Sequence, residues 1–177
     1  DESCKGLVDS YFEKIKIEVS SFYKFIILKV NKKGIYNAIN IGLNILENNS
    51  LYLVLGAGDI VYFKSKFVFN QNNDIFLIPY SKTESPQKTF SKIANLYNGI
   101  PYCHNAIIFK KNDIRYSNKF KISADYLYFI EYVRNKKFIG EFKIELVNSF
   151  KVLVETEYGI SSTKRLLKNF ENLQIIY

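Results

Sequence analysis

Apolar residues near the start fall at Leu7, Val8, Tyr11, Phe12, Ile15 and Val19, the spacing of one helical face, which predicts a helix over 5–20. Its end is open, because Ile15-Lys16-Ile17-Glu18-Val19 also alternates like a strand. Phe25 to Val30 is almost wholly apolar and predicts a buried strand, bounded by Asn31-Lys32-Lys33-Gly34. A helix follows from Ile35 to Glu47, with Ala38, Ile41, Leu43, Ile45 and Leu46 on a broad apolar face and Gly42 able to admit a close neighbour. Asn48-Asn49 ends it. Leu51 to Leu55 is then a short strand with no polar position, the pattern of a sheet covered on both faces.

A turn, Gly56-Ala57-Gly58-Asp59, leads into an aromatic stretch that runs to Phe69. Asn70 to Asp74 is a polar loop, and Asp74 to Tyr80 is predicted as a strand. Residues 81–87 form a loop and 88–97 a helix closed by Asn98-Gly99. Tyr102 to Phe109 is predicted as a strand, and Ser123 to Arg134 as a helix with Ser123 at its N-cap. Phe138 to Glu155 holds one or two strands. The tail, 162–173, is an amphipathic helix with Leu166, Leu167, Phe170 and Leu173 on one side. Strands and helices alternate early and mix later, which predicts an α/β sandwich with a mostly parallel sheet. No repeat or linker divides the chain, so residues 1–177 are expected to form one domain.

Composition agrees with a packed fold: 47% of the 177 residues are hydrophobic. No apolar run approaches the roughly 20 residues that span a bilayer. The polar start, Asp-Glu-Ser-Cys, has no secretory pattern, and two cysteines suit a reducing, cytoplasmic compartment. The chain contains no methionine, which predicts a fragment or a processed product. The net charge of +8 is spread along the sequence. Such a charge suits nucleic acid, anionic lipid, a phosphorylated substrate or simply a lysine-rich solvated surface. The aromatic residues sit mostly at core-like periodic positions, which argues against a nucleic-acid stacking platform.

Three acid or imidazole side chains are candidates for chemistry. Asp59 follows a strand and two glycines, where the backbone can approach a ligand closely and a carboxylate can meet a divalent cation. The same residue also suits a plain turn. His104, the single histidine, opens an apolar strand and is either a satisfied structural residue or a contact to metal, phosphate or substrate. Asp125 lies at the start of a helix, where it either complements the helix dipole or acts as a general base kept ionised there.

Taken together, five segments resemble the family-2 glycosyltransferases. Gly34-Ile35-Tyr36-Asn37-Ala38-Ile39-Asn40-Ile41-Gly42 is similar to that family's Gly-Ile-Tyr-Asp-Ala-Met-Asn-Lys-Gly signature. Leu55-Gly56-Ala57-Gly58-Asp59 resembles the strand end that carries its acidic donor motif. Pro101-Tyr102-Cys103-His104-Asn105 resembles Pro-Phe-Cys-His-Gln, Ala124-Asp125-Tyr126 resembles Ala-Asp-Tyr, and Tyr158-Gly159-Ile160-Ser161-Ser162 resembles a late Gly-Gly-Ile-Ser segment. Asp1-Glu2-Ser3 is similar to the tail of an Asp-Asp-Gly-Ser motif. The order and spacing hold along nearly the whole chain.

The resemblance implies a GT-A fold lacking its first β-α-β unit. It implies transfer of a sugar from a UDP- or GDP-linked donor to a glycan or lipid-linked acceptor in surface-glycan assembly, at the inner face of a membrane. It implies that Asp1, Gly34, Asn37, Gly58 and Asp59 line the donor site, with Asp59 holding Mg²⁺ or Mn²⁺. Asp125 would be the base of an inverting displacement, and His104 and Tyr102 would flank the diphosphate or acceptor. Three departures stand against it: the first strand has no counterpart, Gly58 replaces one of two common aspartates, and Asn37 replaces an aspartate. They favour, as an alternative, a non-catalytic remnant or a nucleotide- or glycan-binding module of the same fold.

Overall fold

A computed structural model of the chain describes residues 34–56, 58–63, 68–82, 100, 102–138, 144–147, 149–154 and 164–176. The chain divides into two compact units, Asp1–Asn31 and Lys32–Tyr177, and every described residue belongs to the second. The helices expected over 5–20 and 88–97, the strand over 25–30, and Asp1 lie outside the described residues.

The described elements are α1 (Ile35–Ile45), β1 (Leu51–Leu53), β2 (Ile60–Phe63), β3 (Ile75–Leu77), β4 (Tyr80–Lys82), β5 (Ile107–Lys110), α2 (Ala124–Phe138), β6 (Ile144–Leu146), β7 (Phe150–Val154) and α3 (Arg165–Ile176). One sheet has the order β1-β5-β3-β6 and a second the order β2-β7-β4. The fold is mixed α/β, and among the described residues more strand pairings are antiparallel than parallel. Of the five described pairings, three are antiparallel and two parallel. Two of the antiparallel pairings belong to β5, which runs against both its neighbours, with Leu53 opposite Ile108 on one side and Leu77 opposite Ile107 on the other, and the third joins β2 to β7. Parallel pairing survives where β6 joins β3 and β7 joins β4.

The predicted strand over 74–80 is two strands, β3 and β4, in different sheets. Pro79 stands between them and cannot donate a ladder bond, so the pairing breaks there. Its carbonyl still accepts from the Val152 N–H (3.0 Å), and the Leu77 carbonyl accepts from Val147 (2.9 Å), so one extended segment links both sheets. The strand expected from Tyr102 starts only at Ile107. His104–Ala106 forms a 3₁₀ turn instead, closed by Ala106 N–H donating to the Cys103 carbonyl (2.9 Å). α1 begins after Gly34, whose φ of 114° is a left-handed value that favours glycine, and the chain leaves it through Asn49 at φ 66°.

The core is aromatic. Phe109 on β5 meets the rings of Tyr52, Tyr128 and Tyr132 at 5.7, 5.4 and 5.3 Å between centroids. α2 is buried on most of its circumference, through Tyr126, Tyr128, Phe129, Ile130, Tyr132 and Val133. A buried phenol needs a partner. Tyr128 meets the Tyr52 hydroxyl at 2.6 Å. Tyr132 donates to the Lys110 carbonyl at 2.8 Å, with that of Asp74 also in reach at 3.0 Å. Tyr102 donates to the Ile78 carbonyl at 2.6 Å. These bonds pin α2 and the 102–106 turn to strand ends.

α3 forms where the amphipathic tail helix was expected. The apolar side of the tail helix, Leu166, Leu167, Phe170 and Leu173, is exposed, while Glu171 is buried. The reason is the bonding of Glu171, described below.

Phe109 packs against three tyrosine rings and is buried, so Phe109→Ala is expected to cost about 3–5 kcal/mol. Urea denaturation of the variant against the parent chain measures it, and a cost below about 1 kcal/mol would contradict the packing described.

Candidate functional site

The turn after β1 is closed on itself. The Asp59 N–H donates to the Gly56 carbonyl (3.2 Å), and the Gly56 N–H donates to the Asp59 Oδ2 (2.7 Å). Gly58 has φ 90°, a left-handed value that glycine takes without strain. A Cβ on Gly56 would stand 3.2 Å from the Asp59 Oδ2, so that glycine gives the carboxylate room to fold back. The same oxygen accepts from the Asn105 side-chain amide. Asp59 therefore fulfils the turn reading, and it also reaches the 3₁₀ turn that carries His104.

His104 is linked to the other candidate, Asp125. Its Nε2 lies 2.7 Å from the Tyr116 hydroxyl, and its ring packs edge-on against that of Tyr116 at 5.5 Å. Burial pushes the His104 imidazolium down from its ordinary 6.5, while the negative charge of Asp125 and the Asn105 side chain pull it back up. Burial likewise pushes the Asp125 carboxyl up from its ordinary 3.8. His104, the Tyr126 N–H (2.8 Å from Oδ1) and Lys168 oppose that shift. A helix start had been expected to favour the ionised carboxylate, but desolvation outweighs it. The result is a more basic carboxylate, which suits proton abstraction. Asp59 is thus bonded to Asn105, the neighbour of His104, and the charges of His104 and Asp125 act on each other.

Tyrosines floor this chain. Tyr116 stacks on Tyr128 at 4.2 Å and on Tyr36 at 5.8 Å. Burial and the nearby Asp125 both hold the Tyr36 phenol above its ordinary range. Asn40 on α1 fixes Tyr116 in place. Its side-chain amide donates to the Tyr116 carbonyl (2.8 Å) and its Oδ1 accepts from the Tyr116 N–H (2.9 Å), as a strand partner would. Tyr36 donates to the Ile122 carbonyl at 2.5 Å.

The segment leading into α2 is held from the other side by Glu171. Its carboxylate accepts from the N–H groups of Lys121 (2.9 Å), Ile122 (2.9 Å) and Ser123 (2.8 Å). The Ser123 hydroxyl donates to the Lys168 carbonyl (3.4 Å). Anionic oxygens at the start of α2 also meet the positive end of its dipole.

Gly34 starts α1 and Asn37 sits half-buried in its first turn. The α1 side chains that bond to the 116–122 segment are Tyr36 and Asn40. Tyr102 is buried and spends its hydroxyl on Ile78, so it serves as a wall beneath the turn. Sequence reasoning did not single out Tyr36, Asn40, Asn105, Tyr116 or Glu171. The first two lie inside the Gly34–Gly42 signature and Asn105 beside His104, so motif position was the available signal. Glu171 is the lone acid in the tail helix, which was the signal there.

Among the described residues, no three His, Cys, Asp or Glu side chains come together as a metal-holding group. Asp59 alone offers a hard oxygen ligand in the turn, which fits Mg²⁺ or Mn²⁺ only where a phosphate ligand and water complete the shell. Comparison with known protein families, with curated proteins and with solved structures gives no match to the chain.

Glu171→Ala leaves three N–H groups without their acceptor and is expected to cost about 3 kcal/mol, measured by urea denaturation. His104 is held neutral in the folded state, so the unfolded chain takes up its proton more readily. Its contribution is therefore complete above about pH 6.5 and is lost as pH falls below that value. Asp125, shifted up, contributes with the opposite sign. His104→Gln is expected to flatten the acid limb of stability between about pH 6.5 and pH 5, read from denaturation midpoints across that range.

Proposed function

We propose that this chain is a family-2, GT-A-type glycosyltransferase domain that moves a sugar from a nucleotide-diphosphate sugar to an acceptor hydroxyl with inversion. The observation that carries the reading is that Asp59 bonds to Asn105, next in sequence to His104, whose charge and that of Asp125 act on each other. Residues picked from separate motifs, far apart in sequence, meet in one place with an acid at each end.

Asp125 takes the proton from the acceptor hydroxyl as that oxygen attacks the anomeric carbon. Its desolvated carboxylate is a better base than a solvated one, and its raised pKa brings it closer to the pH at which it works. His104, held neutral and bonded to Tyr116, orients this end of the site. The 56–59 turn receives the diphosphate, with Asp59 as the side chain that would hold Mg²⁺ or Mn²⁺. Such an ion neutralises charge on the departing nucleoside diphosphate. Asn105 aims the Asp59 carboxylate, and the Gly56 N–H fixes its near oxygen.

Asp125→Asn is expected to lower transfer by about a thousandfold while leaving nucleotide binding near normal, measured by donor-consumption assay beside calorimetry. Asp59→Ala is expected to lose Mn²⁺-dependent binding of UDP or GDP. Near-normal turnover of the first variant removes Asp125 from the mechanism. Nucleotide binding without any turnover in the parent chain indicates a binding module, the reading that Gly58 in place of a second acid favours.

A further inference from the structure

His104 and the three phenols beneath it share a string of hydrogen bonds whose direction follows from a count of protons. The His104 Nε2 lies 2.7 Å from the Tyr116 hydroxyl, and the hydroxyls of Tyr52 and Tyr128 lie 2.6 Å apart. Tyr52 also bonds to Tyr116. Burial raises all three phenols above their ordinary range, so each keeps its proton. A hydroxyl carries one proton and turns it to the acceptor at hand. Tyr128 is 1% exposed, and its hydroxyl has no partner other than Tyr52 among the described residues. Were the ring to donate through Nε2, the donations would run inward and end on Tyr128 with a buried proton unspent, which is costly. Running the other way, from Tyr128 through Tyr52 and Tyr116, they spend every hydroxyl proton and end on the Nε2 lone pair.

The other side of the ring agrees. Asn105 donates its side-chain amide to the Asp59 carboxylate, which only accepts, so its carbonyl oxygen is turned away from Asp59. The Asn105 side chain also bonds to the His104 ring and favours its charged form. A bond that favours imidazolium is one in which the ring donates. With Nε2 on Tyr116, the nitrogen that donates is Nδ1.

We propose that Tyr116 is a positioning residue: its hydroxyl donates to Nε2 and holds His104 as the Nδ1–H tautomer, which in turn keeps the amide end of Asn105 on Asp59. The opposite tautomer would face the Asn105 carbonyl with a lone pair. Asn105 would then turn over, and its carbonyl oxygen would meet the Asp59 carboxylate, acceptor against acceptor. Asn40 on α1 supports the string from behind, because its two bonds to the Tyr116 backbone set where the phenol stands. The tautomer stands independently of sugar transfer. Its bearing on Asp59 as the acid of a donor site rests on that reading.

The test is the ¹⁵N chemical shifts of the two ring nitrogens in the labelled full chain, read by long-range proton–nitrogen correlation at about pH 8, above the ordinary imidazole pKa. The chain has one histidine, so the pattern belongs to His104. The parent is expected to show Nε2 in the unprotonated range and Nδ1 in the protonated range. Tyr116→Phe keeps the ring that stacks on Tyr128 and removes the donor, so both nitrogens are expected to move to intermediate shifts as the two tautomers mix. Tyr36→Phe removes a hydroxyl that bonds to the Ile122 carbonyl, and it is expected to leave the His104 pattern as in the parent. The proposal is overturned by a parent ring protonated at Nε2 in whole or in part. It is also overturned by a Tyr116→Phe pattern unchanged from the parent, or by a Tyr36→Phe pattern that moves as far. These spectra need no nucleotide, metal or acceptor, so their outcome is separate from that of the transfer assays.

Discussion

The carboxylate of Glu171 governs how this half of the molecule is arranged. A carboxylate buried without partners is costly enough to reject the conformation that buries it. Here three successive N–H groups, those of Lys121, Ile122 and Ser123, converge on its two oxygens. Charge-assisted bonds of this kind are about twice as strong as neutral ones. They also satisfy donors that precede a helix, where no intrahelical acceptor exists. One side chain thereby ties the last helix to the approach to α2 and fixes where Asp125 stands relative to His104.

That bond explains why hydrophobicity did not decide the orientation of α3. Turning the helix to hide Leu166, Phe170 and Leu173 would gain apolar burial, at roughly 1.5–3 kcal/mol for each fully buried side chain. The same rotation would carry Glu171 into solvent and leave three buried or half-buried N–H groups without an acceptor. Those losses are of the same order as the gain and add to the loss of the Ser123 contact to Lys168. Periodicity reports where apolar side chains lie on a helix, but not which face meets the domain when an acid on the other face has a better partner.

Much of the secondary structure was legible from local pattern. Leu51–Leu53 and Ile75–Leu77 are strands where apolar runs said so, and Ala124–Phe138 is a helix beginning where Ser123 and Asp125 suggested. The sheet's direction was not legible, because antiparallel β5 carries no mark in its composition. The site was half legible. Asp59, His104 and Asp125 stand in recognisable segments, but the groups that hold them do not. Asn40 bonds to Tyr116, 76 residues away, and Glu171 reaches Lys121, 50 residues away. Side-chain-to-backbone bonds over such separations leave no periodicity and no local motif.

The tyrosine floor has an optical consequence. The chain has 14 tyrosines and no tryptophan, so its near-ultraviolet emission belongs to phenols alone. Tyr36, Tyr116 and Tyr128 are stacked beneath His104, and Tyr52 hydrogen-bonds to Tyr128. A ligand that settles against His104 alters the surroundings of this stack directly. The protein therefore carries its own fluorophores at the candidate site, with no indole emission to mask them.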